Sequence, residues 1–341
     1  MRKRVLLPTP MLDPAGEEAL RKEVDVVDGR DFDAGQEQAA MAEVEGICGG
    51  IAAGPELMDR APRLEVIGFP GSGFETIDVA AATERGIAVV NAAGAQYSAV
   101  AEHAIGLMLS LAKRIGYADR WLHGERRYPG REVYSGDGWP GFPHEIGGKT
   151  VGILGFGFIG RDLARKCRVG FDMPVLAYDP YYDEVEAARQ GVELYRRRSQ
   201  LPELICRCDF VVLSLPLSRE TRHIVGEAEL RAMRPGAFFI NVSRGGTVDE
   251  PALVRALREG WIAGAGIDVF DPEPTPDDHA FFSMENTVLT PHIAGWVQEA
   301  MPRLSVTVAR EMLSVLRGER PNRLANPEVW DAPQRRAREA P

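Results

Sequence analysis

Residues 151–160 read VGILGFGFIG. An apolar, β-branched run leads straight into three glycines, and a helical pattern, RDLARKC, follows. Each glycine has its own physical reason in a strand–turn–helix unit. Gly155 permits the tight turn, Gly157 lets backbone approach a pyrophosphate, and Gly160 lets helix and strand pack closely. The helix N-terminus beyond, around Phe158 and Ile159, offers unpaired N–H groups and the positive end of the helix dipole to an anion. The next strand pattern, VLAYDP, ends in Asp179, 22 residues past Gly157. A carboxylate there accepts hydrogen bonds from a ribose diol and repels a 2′-phosphate, so the pattern predicts NAD rather than NADP.

Outward from this unit the same rhythm repeats. Downstream strands are predicted at 150–154, 174–179, 209–215, 237–242, 263–269 and 286–290, six in all. Upstream, strands are predicted at 4–7, 24–27, 46–48, 64–69 and 87–91, with helical stretches near 16–21, 36–42 and 79–85. Alternating βα units predict an α/β chain of two open parallel sheets, each covered on both faces. Residues 98–120 read as one long helix, too broadly apolar for a lone surface helix and expected to cross between domains or pack on a partner. The stretch 126–148 has no usable period and is expected to form an ordered loop or arm, because Tyr128, Tyr134, Trp139 and Phe142 need packing partners. A helix is predicted at 301–316, followed by a frayed tail at 331–341.

Bulk properties narrow the function classes. A chain of 341 residues accommodates two domains. A formal net charge of −10 argues against nucleic acid as a partner, and the basic clusters at 196–198 and 335–338 read as solvated faces. Cys48, Cys167, Cys206 and Cys208 show no metal-ligand spacing, which predicts a reduced, cytoplasmic chain with no metal site. The opening MRKRVLLPTP has too short an apolar run for a signal peptide or a membrane span.

Three further strand ends carry conspicuous polar residues. NVSRGGTVDE presents Arg244, AGIDVFDPEP presents Asp268 and Glu273, and LTPHIAGW presents His292. Ligands of an open α/β sheet bind outside the carboxyl ends of its strands, so Arg244, Glu273 and His292 are expected to converge at the nicotinamide end of the cofactor. Singly, each has a plainer reading: an interior turn histidine, a capping arginine, a solvated glutamate. Together they suit reduction of a 2-oxo acid, which needs a proton for the carbonyl oxygen beside hydride delivery to carbon. A histidine serves as that acid or base when a carboxylate fixes its tautomer, and a guanidinium holds a substrate carboxylate in a fork.

These segments, in this order, resemble the D-isomer-specific 2-hydroxyacid dehydrogenases, and the likeness runs from APRLEVIGFPGSGFETID through VAEHAIGLMLSLAKR to about residue 320. The resemblance implies a Rossmann NAD domain at 111–296 inserted into a flavodoxin-like substrate domain formed by 1–110 and 297–330. It implies catalytic roles for Arg244, Glu273 and His292, and a hold on the nicotinamide carboxamide by Asp268. Pro216 and Thr221 fall where the family lines the adenine pocket, Val242 where backbone meets the cofactor, and Ser72 and Gly73 where loop amides hold the substrate acid. Family members are commonly homodimers joined near the long helix and arm, with no membrane or nucleic-acid partner expected. Departures are also legible: Ala93 and Ala99 stand where relatives carry Pro and Ser or Thr, and Trp296 where small or polar residues are usual. GICGGIAAG lacks the cations that phosphoglycerate-type members use, so a small, non-phosphorylated 2-hydroxy or 2-oxo acid is expected as substrate. Phosphite or phosphoglycerate oxidation, and an NAD(H)-sensing corepressor on the same fold, are the rival readings. His103, in AEHA, is expected to be a packed helix residue.

Overall fold

The computed structural model describes residues 2–126, 130, 142–332 and 335. The chain divides into two units, residues 1–96 with 296–341, and residues 97–295.

In the first unit β1 (Arg4–Leu7), β2 (Asp25–Asp28), β3 (Gly46–Cys48), β4 (Val66–Phe69) and β5 (Ala88–Asn91) form one sheet, every neighbouring pair parallel, in the order β2-β1-β3-β4-β5. That order is the flavodoxin-like one. Alternate residues point to opposite faces, and both faces are apolar because helices cover both. Val5, Cys48, Val66 and Val90 pack with Val308 and Met312 of the helix Ala300–Leu316. Leu6, Ile47, Ile67 and Val89 pack with Met41, Met58 and Ala82 on the other side. The helix Pro14–Arg21, capped by the Asp13 carboxylate, crosses Ala300–Leu316 at Gly16, where a Cβ would lie only 2.6 Å from that of Ser305.

The second unit carries seven strands where six were expected. They are β6 (Val151–Leu154), β7 (Val175–Tyr178), β8 (Val192–Tyr195), β9 (Phe210–Leu213), β10 (Phe238–Asn241), β11 (Gly264–Ile267) and β12 (Thr287–Leu289). All pair in parallel, in the order β12-β11-β10-β9-β6-β7-β8. The additional strand is β8, at the sheet edge, where Glu193 is exposed and the apolar run is correspondingly broken. Chain progression reverses between β6 and β9, which opens a crevice at their carboxyl ends.

The expected single helix at 98–120 is two, Tyr97–Lys113 and Ile115–Glu125, because Arg114 takes a left-handed φ of 56° between them. The first of these buries Val100, Ala104, Leu107, Met108 and Leu111 in the core of the second unit. Gly266 in β11 admits it, since a Cβ there would stand 2.9 Å from that of Leu107. With that packing the helix belongs to the second unit, which begins at Tyr97. Tyr128, Tyr134 and Trp139 of the expected arm, and most of the tail at 331–341, lie outside the described residues, while Phe142 is exposed.

Candidate active site

All predicted cofactor residues of the second unit follow the carboxyl ends of its parallel strands. The helix Phe158–Phe171 starts at Gly157, which gives it no side-chain cap, so its first-turn amides are free of that competition for an anion. Gly155 has φ +100°, and a Cβ there would lie 2.8 Å from the Leu215 nitrogen. A Cβ on Gly160 would overlap the Gly155 carbonyl oxygen, whereas one on Gly157 would meet nothing within 4 Å. The turn is therefore closed toward the protein and open at the helix N-terminus, as a bound pyrophosphate requires. Asp179 follows β7. Its carboxylate accepts N–H bonds from Phe156 (2.9 Å), Tyr181 (2.9 Å) and Tyr182 (3.1 Å). The carboxylate thus orients its own turn and the glycine loop beside it.

The second group of residues comes from the ends of β10, β11 and β12. Asn241, fully buried, donates to the Arg244 carbonyl (3.0 Å) and accepts from the Ser243 amide (3.0 Å), which shapes the turn presenting Arg244. Gly245 lets this turn abut the loop after β11, because a Cβ would overlap the backbone of Phe270. Glu273 lies in that loop. One of its oxygens accepts from the Phe270 amide (2.8 Å), and the other pairs with His292 Nδ1 at 2.7 Å. Burial pushes the Glu273 carboxyl up, but the hydrogen bonds from His292 and Phe270 and the charges of His292 and Arg244 outweigh it and hold the group below the usual glutamate range. An ionised carboxylate accepts only, so Nδ1 carries the proton of this bond and Nε2 is the nitrogen left for a substrate. Glu273 and His292 are thus paired, the charge of Arg244 acts on the same carboxylate, and Phe270, Pro274, Phe282, Leu289 and Pro291 wall a cavity of 470 Å³ that Glu273 and His292 also line.

Residues 105–294 match the family model described as the D-isomer specific 2-hydroxyacid dehydrogenase NAD binding domain. The chain belongs to the D-isomer-specific 2-hydroxyacid dehydrogenases. It is 39% identical to the glyoxylate reductase of Pyrococcus furiosus over 80% of this chain and 79% of that protein. It is 37% identical to the D-3-phosphoglycerate dehydrogenase of Methanocaldococcus jannaschii over 92% of this chain and 58% of that one. Among solved structures it resembles the NADPH-dependent glyoxylate/hydroxypyruvate reductase of Sinorhizobium meliloti in complex with citrate, with a TM-score of 0.81, 33% identity, and 96% and 99% of the two chains covered. The protein is an NAD(P)-dependent oxidoreductase with the two-sheet α/β architecture of its family.

Other expected residues of this dehydrogenase fall as follows. Thr221 donates to the Pro216 carbonyl (2.6 Å) and accepts from the Ser218 amide (2.7 Å), so it closes the loop after β9 on itself. Val242 is buried directly after β10. Ser72 and Gly73 follow β4 in the first unit, where the Asn91 side chain donates to the Ser72 carbonyl (2.8 Å) and fixes that loop. The Ala93 amide donates to the Asn91 side-chain oxygen (3.1 Å); Ala99 is buried, and Trp296 is exposed. Sequence reasoning overlooked a second carboxylate–imidazole pair. Glu250 accepts from His279 Nε2 (3.1 Å) and from the Asp271 amide (3.0 Å), which tethers the loop that carries Glu273. Burial pushes the Glu250 carboxyl up, despite those two bonds. Its only trace in the sequence is DE after VSRGGTV and a histidine within the Pro-rich stretch. No helix among the described residues is long and apolar enough to cross a membrane.

Proposed function

We propose that this dehydrogenase interconverts a small, non-phosphorylated 2-oxo acid and its D-2-hydroxy acid with NAD(H). The observation that carries the reading is the 2.7 Å pairing of His292 with a Glu273 carboxylate that also feels the Arg244 charge, at the carboxyl edge of the NAD-binding sheet. The nicotinamide supplies or takes the hydride. Arg244 holds the substrate carboxylate and polarises the neighbouring carbonyl. His292 gives its proton to the carbonyl oxygen in reduction and recovers it from the hydroxyl in oxidation, while Glu273 fixes the tautomer and balances the charge. Gly155, Gly157, Phe158, Ile159 and Gly160 hold the pyrophosphate, and Asp179 the ribose. Asp268 meets the carboxamide, Pro216, Thr221 and Val242 line the adenosine side, and Ser72 and Gly73 hold the substrate acid.

Asp179 favours NADH. NADPH is the second reading, because Arg196 lies beside the same turn, its guanidinium donating to the Pro180 carbonyl at 3.0 Å, and the relative from Sinorhizobium meliloti is NADPH-dependent. A panel of glyoxylate, hydroxypyruvate, pyruvate, 3-phosphohydroxypyruvate and branched or aromatic 2-oxo acids with each cofactor tests both points. Turnover is expected with non-phosphorylated acids, and kcat/KM is expected to be at least about tenfold higher with NADH, the cost of one unmatched charge contact near ~1.4 kcal/mol. Turnover confined to the phosphorylated acid, or equal use of both cofactors, would contradict the proposal.

The working form we propose is a cytoplasmic homodimer. Ile115 and Leu122 on the helix Ile115–Glu125 are large and exposed, the usual mark of a covered face, and the free cysteines suit a reducing compartment. Sedimentation equilibrium reads the mass directly; a monomer at micromolar concentration overturns this part.

A further inference from the structure

Asp268 follows β11 and is 1% exposed. Its carboxylate accepts from the Thr290 hydroxyl (2.6 Å) and from the amides of Ile293 (2.9 Å) and Ala294 (3.0 Å). Its own carbonyl accepts the His292 amide at 2.7 Å. One buried residue therefore grips the backbone at His292 and at the two positions after it. His292 needs that grip: its φ is +54°, a left-handed conformation that is strained for a side-chain-bearing residue and persists only where surrounding bonds over-determine it.

The grip does not end at Thr290. The Thr290 hydroxyl proton is committed to the carboxylate, so its oxygen accepts, and the donor is His103 Nε2 at 2.9 Å. The same nitrogen stands 3.5 Å from Asp268 Oδ1. His103 belongs to the helix Tyr97–Lys113, which packs against β11 and β12, and it is the ring N–H donor that meets Thr290 and this buried carboxylate from that side. An apolar residue of similar size would fill the helix face equally well but would leave the Thr290 oxygen and the Asp268 charge short of a donor.

We propose that His103 is a positioning residue of the dehydrogenase: through Thr290 and Asp268 it holds the left-handed turn that aims His292. It touches neither substrate nor cofactor. The proposal rests on the role given above to His292, and its test carries a readout that does not depend on turnover.

The variants are His103→Leu, which removes the donor, His103→Gln, whose amide nitrogen stands near the Nε2 position, Thr290→Val, and the double variant His103→Leu with Thr290→Val. With the best 2-oxo acid of the panel, kcat of His103→Leu is expected to fall about tenfold with KM for the cofactor changed less than about twofold, the loss of one half-buried donor. His103→Gln should recover kcat to within about threefold of wild type. The double variant should lose no more than Thr290→Val alone, since both act through one chain of bonds. Hydrogen exchange supplies the independent readout: the Ile293 and Ala294 amides should exchange about tenfold faster in His103→Leu, with β9 amides unchanged. If His103→Leu does not fold, Thr290→Val and His103→Gln decide by the same exchange measurement. Unchanged kcat together with unchanged exchange at 293 and 294, or fully additive losses in the double variant, overturns the proposal. If wild-type protein turns over no 2-oxo acid, the proposed function fails, while exchange at those two amides still decides the role of His103.

Discussion

Replacing His292 by glutamine should lower kcat for 2-oxo acid reduction by about 10²–10⁴-fold, the usual worth of a positioned acid–base group. Binding of NADH should stay within about threefold, because on the proposed roles the change removes the acid–base imidazole and leaves the glycine turn at residues 155–160 intact. Glutamine still accepts and donates near Glu273, so a folded protein is expected, and a cooperative thermal transition close to wild type confirms it. Glu273→Gln is the companion measurement. The carboxyl of Glu273 is held below the usual glutamate range, hence ionised throughout the neutral region, where it accepts the Nδ1 bond of His292 and fixes the ring's tautomer. A glutamine amide can offer its own N–H to Nδ1 and so no longer fixes that tautomer. kcat should therefore fall by about 10²-fold at fixed pH with the same acids. A His292→Gln enzyme with kcat within about tenfold of wild type would remove this residue from the chemistry.

What was legible in the sequence, and what was not, follows from where each structural cause resides. The strands leading into Gly155, Asp179, Arg244, Asp268 and His292 could be read because buried parallel strands are continuous apolar runs, and the residue ending each run stands at the carboxyl edge by topology alone. Edge strand β8 could not, since one exposed face admits Glu193 and erases the run. The break at Arg114 has no compositional marker, because left-handed φ at an arginine is imposed by tertiary packing rather than by local preference. His292 hides the same feature. Its neighbours in sequence explain neither its φ of +54° nor the bonds that enforce it, which come from Asp268, 24 positions earlier. Gly245 carries no local mark of its role either, since it is demanded by the Phe270 backbone, 25 positions later. Asp179 is expected from the sequence to meet the ribose, and the structure adds a load the sequence does not show, since the Phe156, Tyr181 and Tyr182 amides all donate to its carboxylate. Its replacement should accordingly disturb the glycine loop as well as cofactor choice.

Arg244→Ala should be the most damaging change to substrate capture. The guanidinium is partly buried after β10, in a turn fixed by Asn241 and abutting the Phe270 backbone, and its charge already acts on Glu273. A carboxylate substrate entering this site loses water and needs that cation in return. Truncating one partner of a desolvated charge pair costs about 2–5 kcal/mol, so kcat/KM should fall by about 30-fold to 5 × 10³-fold, most of it in KM if the carboxylate contact is equal in ground and transition states. Arg244→Lys separates charge from shape. Lysine keeps the charge but not the planar fork, so it should recover only part of the loss, and a fall in kcat that persists in the lysine variant would mean that the fork also polarises the reacting carbonyl. The effect has a second, electrostatic signature within the protein itself. Arg244 helps to hold the Glu273 carboxyl down, so in Arg244→Ala that carboxyl should titrate closer to its ordinary value, which carboxyl-labelled NMR can follow without any substrate. Arg244→Ala that leaves both kcat/KM and the Glu273 titration unchanged would place the guanidinium away from the site. Loss of kcat/KM with an unmoved Glu273 titration would instead mean that the arginine serves the substrate alone.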